Sequence, residues 1–155
     1  MNQINPNEIF QDSRGRYRAE LFTYPVSFAI PAAAAPIVVS NVQIQADADF
    51  VWQQGTYNFV TAAVADETVV AAAVEIPDLT VQILDSANGK NMFFAPVQIQ
   101  ALFSNTAQFP AMLPVAREIR AAASLSFTVA STKTYAAAYN LQLLLTGYKK
   151  IRDVG

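Results

Sequence analysis

Strict two-residue alternation is the feature that most constrains this chain. Val42-Gln43-Ile44-Gln45, Leu79-Thr80-Val81-Gln82-Ile83, Val97-Gln98-Ile99-Gln100 and Leu125-Ser126-Phe127-Thr128-Val129 each alternate apolar and polar residues. A pleated strand sends successive side chains to opposite faces, so this period collects every apolar member on one face, turned toward a core. Further strand candidates are Leu21–Ile30, Pro36–Val39 running into the Val42 segment, Phe50–Val60 and Tyr139–Tyr148. About eight strands separated by turn-rich breaks predict an all-β sandwich or closed barrel. Ile44, Val81, Ile83, Phe127 and Leu143 are the expected interior. Asp85-Ser86-Ala87-Asn88-Gly89 reads as a turn, because Asn-Gly accepts the positive φ that tight hairpins need.

Alanine is abundant and raises a helical alternative, but its runs are short. Ala32–Ala35 lies between Pro31 and Pro36, which a helix interior does not tolerate. Only Thr61–Glu75 keeps a helix in play. The long uncharged stretches Leu21–Ala46 and Asn91–Ala116 are each interrupted by three prolines and by many Ser, Thr, Asn and Gln residues, so no membrane-spanning helix is expected. The first residues carry no basic stretch followed by an apolar run, and no signal peptide is expected.

The sequence contains neither Cys nor His. Catalysis by Ser-His-Asp or Cys-His groups is therefore excluded. Thr132-Lys133-Thr134 is the one close pairing of hydroxyl and amine, and an exposed loop explains it. No glycine-rich phosphate loop is present. Asp47-Ala48-Asp49 offers two carboxylates, but Ca²⁺ takes six to eight oxygens and no supporting ligand spacing follows. Phe50, Trp52, Tyr57 and Phe59 near it resemble a sugar platform only in part, since even and odd positions of one strand point to opposite faces. No enzyme, cofactor or metal is expected.

Charge is sparse and unevenly placed. Asp, Glu, Lys and Arg make up 14% of the 155 residues, where about 25% is usual. Solubility of a monomer normally rests on interspersed charges, whereas interface centres are depleted of them. From Ala19 to Gly89 there is no Lys or Arg; the bases gather at Arg14, Arg16 and Arg18 and at Lys149, Lys150 and Arg152. An acid-only body repels phosphate, so no nucleic acid partner is expected. Residues 1–20 are polar and aperiodic and read as an N-terminal arm ahead of a sandwich domain over 21–155, either a frayed terminus or a segment that orders on a neighbour with Arg14, Arg16, Tyr17 and Arg18 as gripping points. On the strands' polar faces, Gln43, Gln45, Gln98 and Gln100 offer hydrogen bonds without the cost of burying a charge, as suits a sheet facing another protein.

Two segments resemble a known family. Ala46-Asp47-Ala48-Asp49-Phe50-Val51-Trp52 is similar to a strand of small virion proteins of tailed bacteriophages. The run Ala138–Lys149, ending in Gly147-Tyr148-Lys149, resembles their last strand. Leu79–Leu84, Asn88-Gly89-Lys90 and the Ala95-Pro96-Val97 turn follow in the expected order, so the likeness covers roughly residues 20–150. Jelly-roll cement, or decoration, proteins of phage capsids are the relatives it suggests. The resemblance implies an eight-stranded jelly-roll β-sandwich without catalytic residues, forming a dimer or trimer on the capsid exterior and bridging major capsid subunits. A head-fibre or tail adaptor of the same fold, touching host glycans, is the alternative it leaves open.

Overall fold

The computed structural model describes residues 8–62, 77–105 and 109–152. Over these residues the protein is all-β, with two antiparallel sheets. The strands are β1 (Ile9–Asp12), β2 (Gly15–Ile30), β3 (Ile37–Gln43), β4 (Asp49–Thr61), β5 (Thr80–Asp85), β6 (Lys90–Asn91), β7 (Val97–Gln98), β8 (Ala111–Ile119), β9 (Ser124–Ala130) and β10 (Tyr139–Arg152). One sheet has the order β1-β2-β10-β4-β8; the other has β3-β9-β5-β6, with β7 also pairing β5. A single 3₁₀ turn, Ile99–Ala101, follows β7. No helix among the described residues is long and apolar enough to cross a membrane.

The alternation read from the sequence becomes the core between the sheets. Ile44, Val81, Ile83, Phe127 and Leu143 are each fully buried, as expected. Phe28 of β2 meets Phe127 of β9 edge-on at 6.4 Å, joining the two layers. β10 is the spine of the larger sheet. It pairs along its whole length with β2 and, through Tyr139 to Lys150, with β4. Pro25 fits within β2 because β1 covers β2 only at Gly15–Arg18; beyond that point β2 is an edge, where a missing N–H costs no ladder bond.

Several expectations change. Val97–Gln100 is a strand only at Val97–Gln98, since Ile99 and Gln100 turn into the 3₁₀ segment; Ile99 nevertheless stays buried. Strand β8 was not expected, because Pro110 stands just before it, Pro114 lies within it and most of its side chains are exposed. The aromatics Phe50, Trp52, Tyr57 and Phe59 do not divide between two faces, for all four are core. A β-bulge lies between Trp52 and Gln54, opposite a register shift between Thr146 and Gly147. One extra residue reverses the inward parity, so even positions face the core before it and odd positions after it. The Thr61–Glu75 ambiguity falls, beyond Ala62, outside the described residues. The Asn88-Gly89 turn is as read: Gly89 has φ +65° and its N–H donates to the Asp85 carbonyl at 2.9 Å.

The N-terminal arm needs the largest correction. Residues 1–7 lie outside the described residues, but Ile9–Asp12 and Gly15 onward form a hairpin within the larger sheet. The alternation here is hard to read because its buried members, Tyr17 and Ala19, lie on the outer side of β2, opposite the core-facing Phe22 and Tyr24, and are set between Arg16, Arg18 and Glu20. Tyr17 is buried, stacks on Phe10 at 5.6 Å, and lies beneath Lys150 at 4.9 Å.

Candidate functional site

The bases at the two chain ends meet acids from the middle of the chain. Tyr17 pairs with Arg152 and Ala19 with Lys150 across β2 and β10, while Asp49 faces Lys150 from β4. The tip of the first hairpin adds Asp12 and Arg14. Arg152 grips Asp12 with both terminal nitrogens at 3.0 Å, and Lys150 Nζ donates to Asp12 at 2.9 Å and to Glu118 at 2.6 Å. Arg14 donates to Asp49 at 2.9 Å and lies 3.5 Å from Glu118. Asp49 also accepts from the Ala121 N–H at 2.9 Å. On the opposite side of β10, buried Lys149 reaches Asp47 at 3.0 Å and the Gln45 carbonyl oxygen, and sits 4.1 Å above the Phe22 ring. Asp47 and Asp49 therefore serve different cations on different faces of the sheet.

These contacts set the acid and base limits of the hairpin. Hydrogen bonds from Arg152 and then Lys150 hold the Asp12 carboxyl well below the usual carboxylate range, against an opposing effect of burial. At Lys150 burial works to lower the ammonium's pKa, but hydrogen bonds to Glu118 and Asp12 prevail and raise it. A carboxylate with a depressed folded pKa contributes stability above its unfolded value, about 4, and loses it as pH falls through the folded value. A lysine raised on folding contributes below about 10.4 and loses its contribution as pH rises through the folded value. Asp12→Asn should therefore lower the melting temperature at neutral pH, and the gap from the wild type should narrow progressively below about pH 4. A gap unchanged at pH 2 would show that the charge of Asp12 is not what holds the hairpin.

Of the residues expected to grip a partner, Arg14, Tyr17 and Arg18 all make interactions within their own chain, and Arg16 and Arg18 are exposed on the other side of β2. The four glutamines divide as well. Gln43 donates to the Ala122 carbonyl at 2.5 Å, capping a turn in which Ala122 has φ +63°; Gln45 accepts from Lys149; Gln100 donates to the Pro77 carbonyl at 2.6 Å. Three of the four thus hydrogen-bond within this chain, although all four are exposed. Gln98 and Gln43 both stand on the outer face of the smaller sheet, at opposite ends of it.

What the strands present to the outside is a different surface. Across the smaller sheet the outward rows are Ile37–Ala130–Thr80–Gln98, Val39–Thr128–Gln82 and Asn41–Ser126–Leu84. Across the larger sheet, as far as Thr146 of β10, they are Ala29–Asn140–Val60, Ser27–Gln142–Asn58, Pro25–Leu144–Thr56 and Thr23–Thr146–Gln54–Met112. None of these rows contains an ionisable side chain. Ile37, Val39, Leu84, Val60 and Met112 are exposed within them. The first row floors a pocket of about 320 Å³ walled by Ala35 and Thr132, with Asp78 its one charged lining residue. On the loop between β6 and β7, Met92 and Phe93 pack against the core while Phe94 is fully exposed. The sequence did carry a signal for these faces: positions 21, 23, 25, 27 and 29 of β2 are all uncharged, as are 37, 39, 41 and 43 of β3. Comparison with known proteins returns no matching family model, no matching curated protein and no matching solved structure.

Proposed function

We propose that this chain is a structural protein of a bacteriophage particle, a cement or decoration protein that binds the capsid exterior and bridges major capsid subunits. The observation that carries the reading is the run of outward rows without an ionisable side chain on the smaller sheet and, as far as Thr146 of β10, on the larger sheet, whose outer face becomes charged only at its far end. Interfaces tolerate neutral polar and apolar atoms at their centres and exclude unpaired charge, because burying a charge costs far more than burying an amide or hydroxyl. A surface of this kind suits assembly better than free solution.

The strand order adds support. With β1 set aside and β6 and β7 counted as one interrupted strand, eight strands remain. In that count the pairs are first with eighth (β2–β10), second with seventh (β3–β9), third with sixth (β4–β8) and fourth with fifth (β5 with β6 and β7). This nesting supports a jelly-roll reading, an architecture used by viral capsid and lectin domains. Such a protein acts mechanically: each copy adds buried interface between neighbouring capsid subunits, and repetition over the shell multiplies the effect. Its partners are the major capsid protein and further copies of itself.

The expected result is that quantitative mass spectrometry of purified particles, from the phage that encodes this sequence, finds the protein at hundreds of copies per virion. A dozen or fewer would assign it instead to a head-fibre or tail adaptor. Its absence from particles would end the virion reading.

A further inference from the structure

We infer that the smaller sheet's outer face is a two-fold self-association surface, in which Phe94 of each copy enters the pocket over Ala130 of the other. This deepens the assembly reading above by assigning the contact between copies.

Four observations converge. The pocket is formed on the outward row Ile37–Ala130–Thr80–Gln98, where the small Ala130 side chain leaves a depression between larger neighbours. Its volume of about 320 Å³ is ample for a phenyl ring. Phe94 is a fully exposed aromatic on the loop that runs directly into β7, the strand carrying Gln98 of that same row. Finally, the rows around the pocket are uncharged. In a two-fold contact each residue set faces its own copy, so a charged face would oppose like charges, whereas here Asp78 is the one charged residue lining the pocket. A charged partner would lose hydration here with few ions to pair, which favours a second copy over a charged surface.

A two-fold axis in the contact plane, midway between pocket and ring, carries each ring onto the other copy's pocket. Two buried aromatic side chains contribute about 300–500 Å². That is roughly a quarter of a standard interface, and the exposed Ile37, Val39 and Leu84 lie beside them to supply more.

Sedimentation equilibrium on the full chain tests the contact, with circular dichroism as the check on folding. The wild type is expected to dimerise at micromolar concentration. Phe94→Ser removes the ring from a fully exposed site and should leave melting unchanged while weakening self-association at least about a hundredfold, since two rings are lost per dimer. Ala130→Arg fills the pocket with a charged chain and should do the same from the other side. A wild type that stays monomeric at 100 µM overturns the inference, and so does a dimer that both variants leave intact. A melting temperature lowered by Ala130→Arg with association unchanged would assign the pocket to another part of the same chain, and equally overturns it. The outcome is independent of particle mass spectrometry: dimers lost in both variants, with no protein in virions, would keep the contact and remove the virion reading.

Discussion

Gly147→Ala is expected to yield little or no folded protein, with a loss of about 4–5 kcal/mol or more. A Cβ at Gly147 would stand 1.8 Å from the Val51 carbonyl oxygen and 3.2 Å from the Gln53 nitrogen, and both obstacles are backbone. No rotamer change relieves such an overlap; β4 or β10 has to move. The overlap occurs where the register shifts between Thr146 and Gly147 and where β4 carries its bulge. Moving either strand therefore breaks the ladder at the centre of the larger sheet. Gly89→Ala provides the contrast. Gly89 has φ +65° with open space around it, so alanine there should cost only about 1 kcal/mol, for backbone conformation alone. Denaturant melts of the two variants measure the difference. A Gly147→Ala protein with wild-type stability would mean that the bulge is not built as described.

Trp52→Ala should be the most damaging of the core truncations, at about 3–5 kcal/mol. Trp52 is fully buried, stacks on Phe103 at 5.6 Å, and donates its indole N–H to the Gln54 carbonyl at 2.8 Å. Truncation empties that volume and strips the carbonyl beyond the bulge of its donor. Against a typical total of 5–15 kcal/mol this is a large share. The urea midpoint should fall sharply with little change in slope, the sign that stability rather than compactness was altered. A loss below about 1 kcal/mol would place Trp52 outside the packed core.

The two variants also mark where the sequence could and could not be read. Period-two alternation located the core because a strand buried on one face has no other way to sort its side chains. Phe127, Val81 and Leu143 were legible for that reason. The bulge was not legible: Gln53-Gln54 looks like any polar pair, and only the three-dimensional fit of Gly147 against Val51 explains why inward parity changes there. The hairpin of β1 and the start of β2 was hidden because Arg16, Arg18 and Glu20 outnumber the buried Tyr17 and Ala19 and resemble a solvated tail. Strand β8 was hidden by its prolines, which an edge strand accepts and a central one does not. For the candidate site, the depletion of charge was visible at once, but its address was not. Glutamines drew attention as hydrogen-bonding groups, yet Gln43, Gln45 and Gln100 serve turns and a buried lysine. The uncharged rows are made largely of Thr, Ser, Ala and exposed aliphatic residues, which signal nothing singly and acquire meaning only when pairing sets them side by side.

The position of β10 has a consequence for how the protein is made. β10 lies between β2 and β4, and its partners in β2 are more than a hundred residues away in sequence. Ribosomal synthesis delivers residues in order, so β2 and β4 emerge long before the strand that separates them. Throughout that interval each has an open edge that the finished sheet closes, and neither carries a lysine to discourage a wrong partner. Closing such distant contacts is slow compared with forming local ones. Rapid, high-level synthesis should thus put this chain at risk of mispairing between nascent neighbours, and lower growth temperature or slower induction should raise the soluble yield more than any change made to the finished fold's surface.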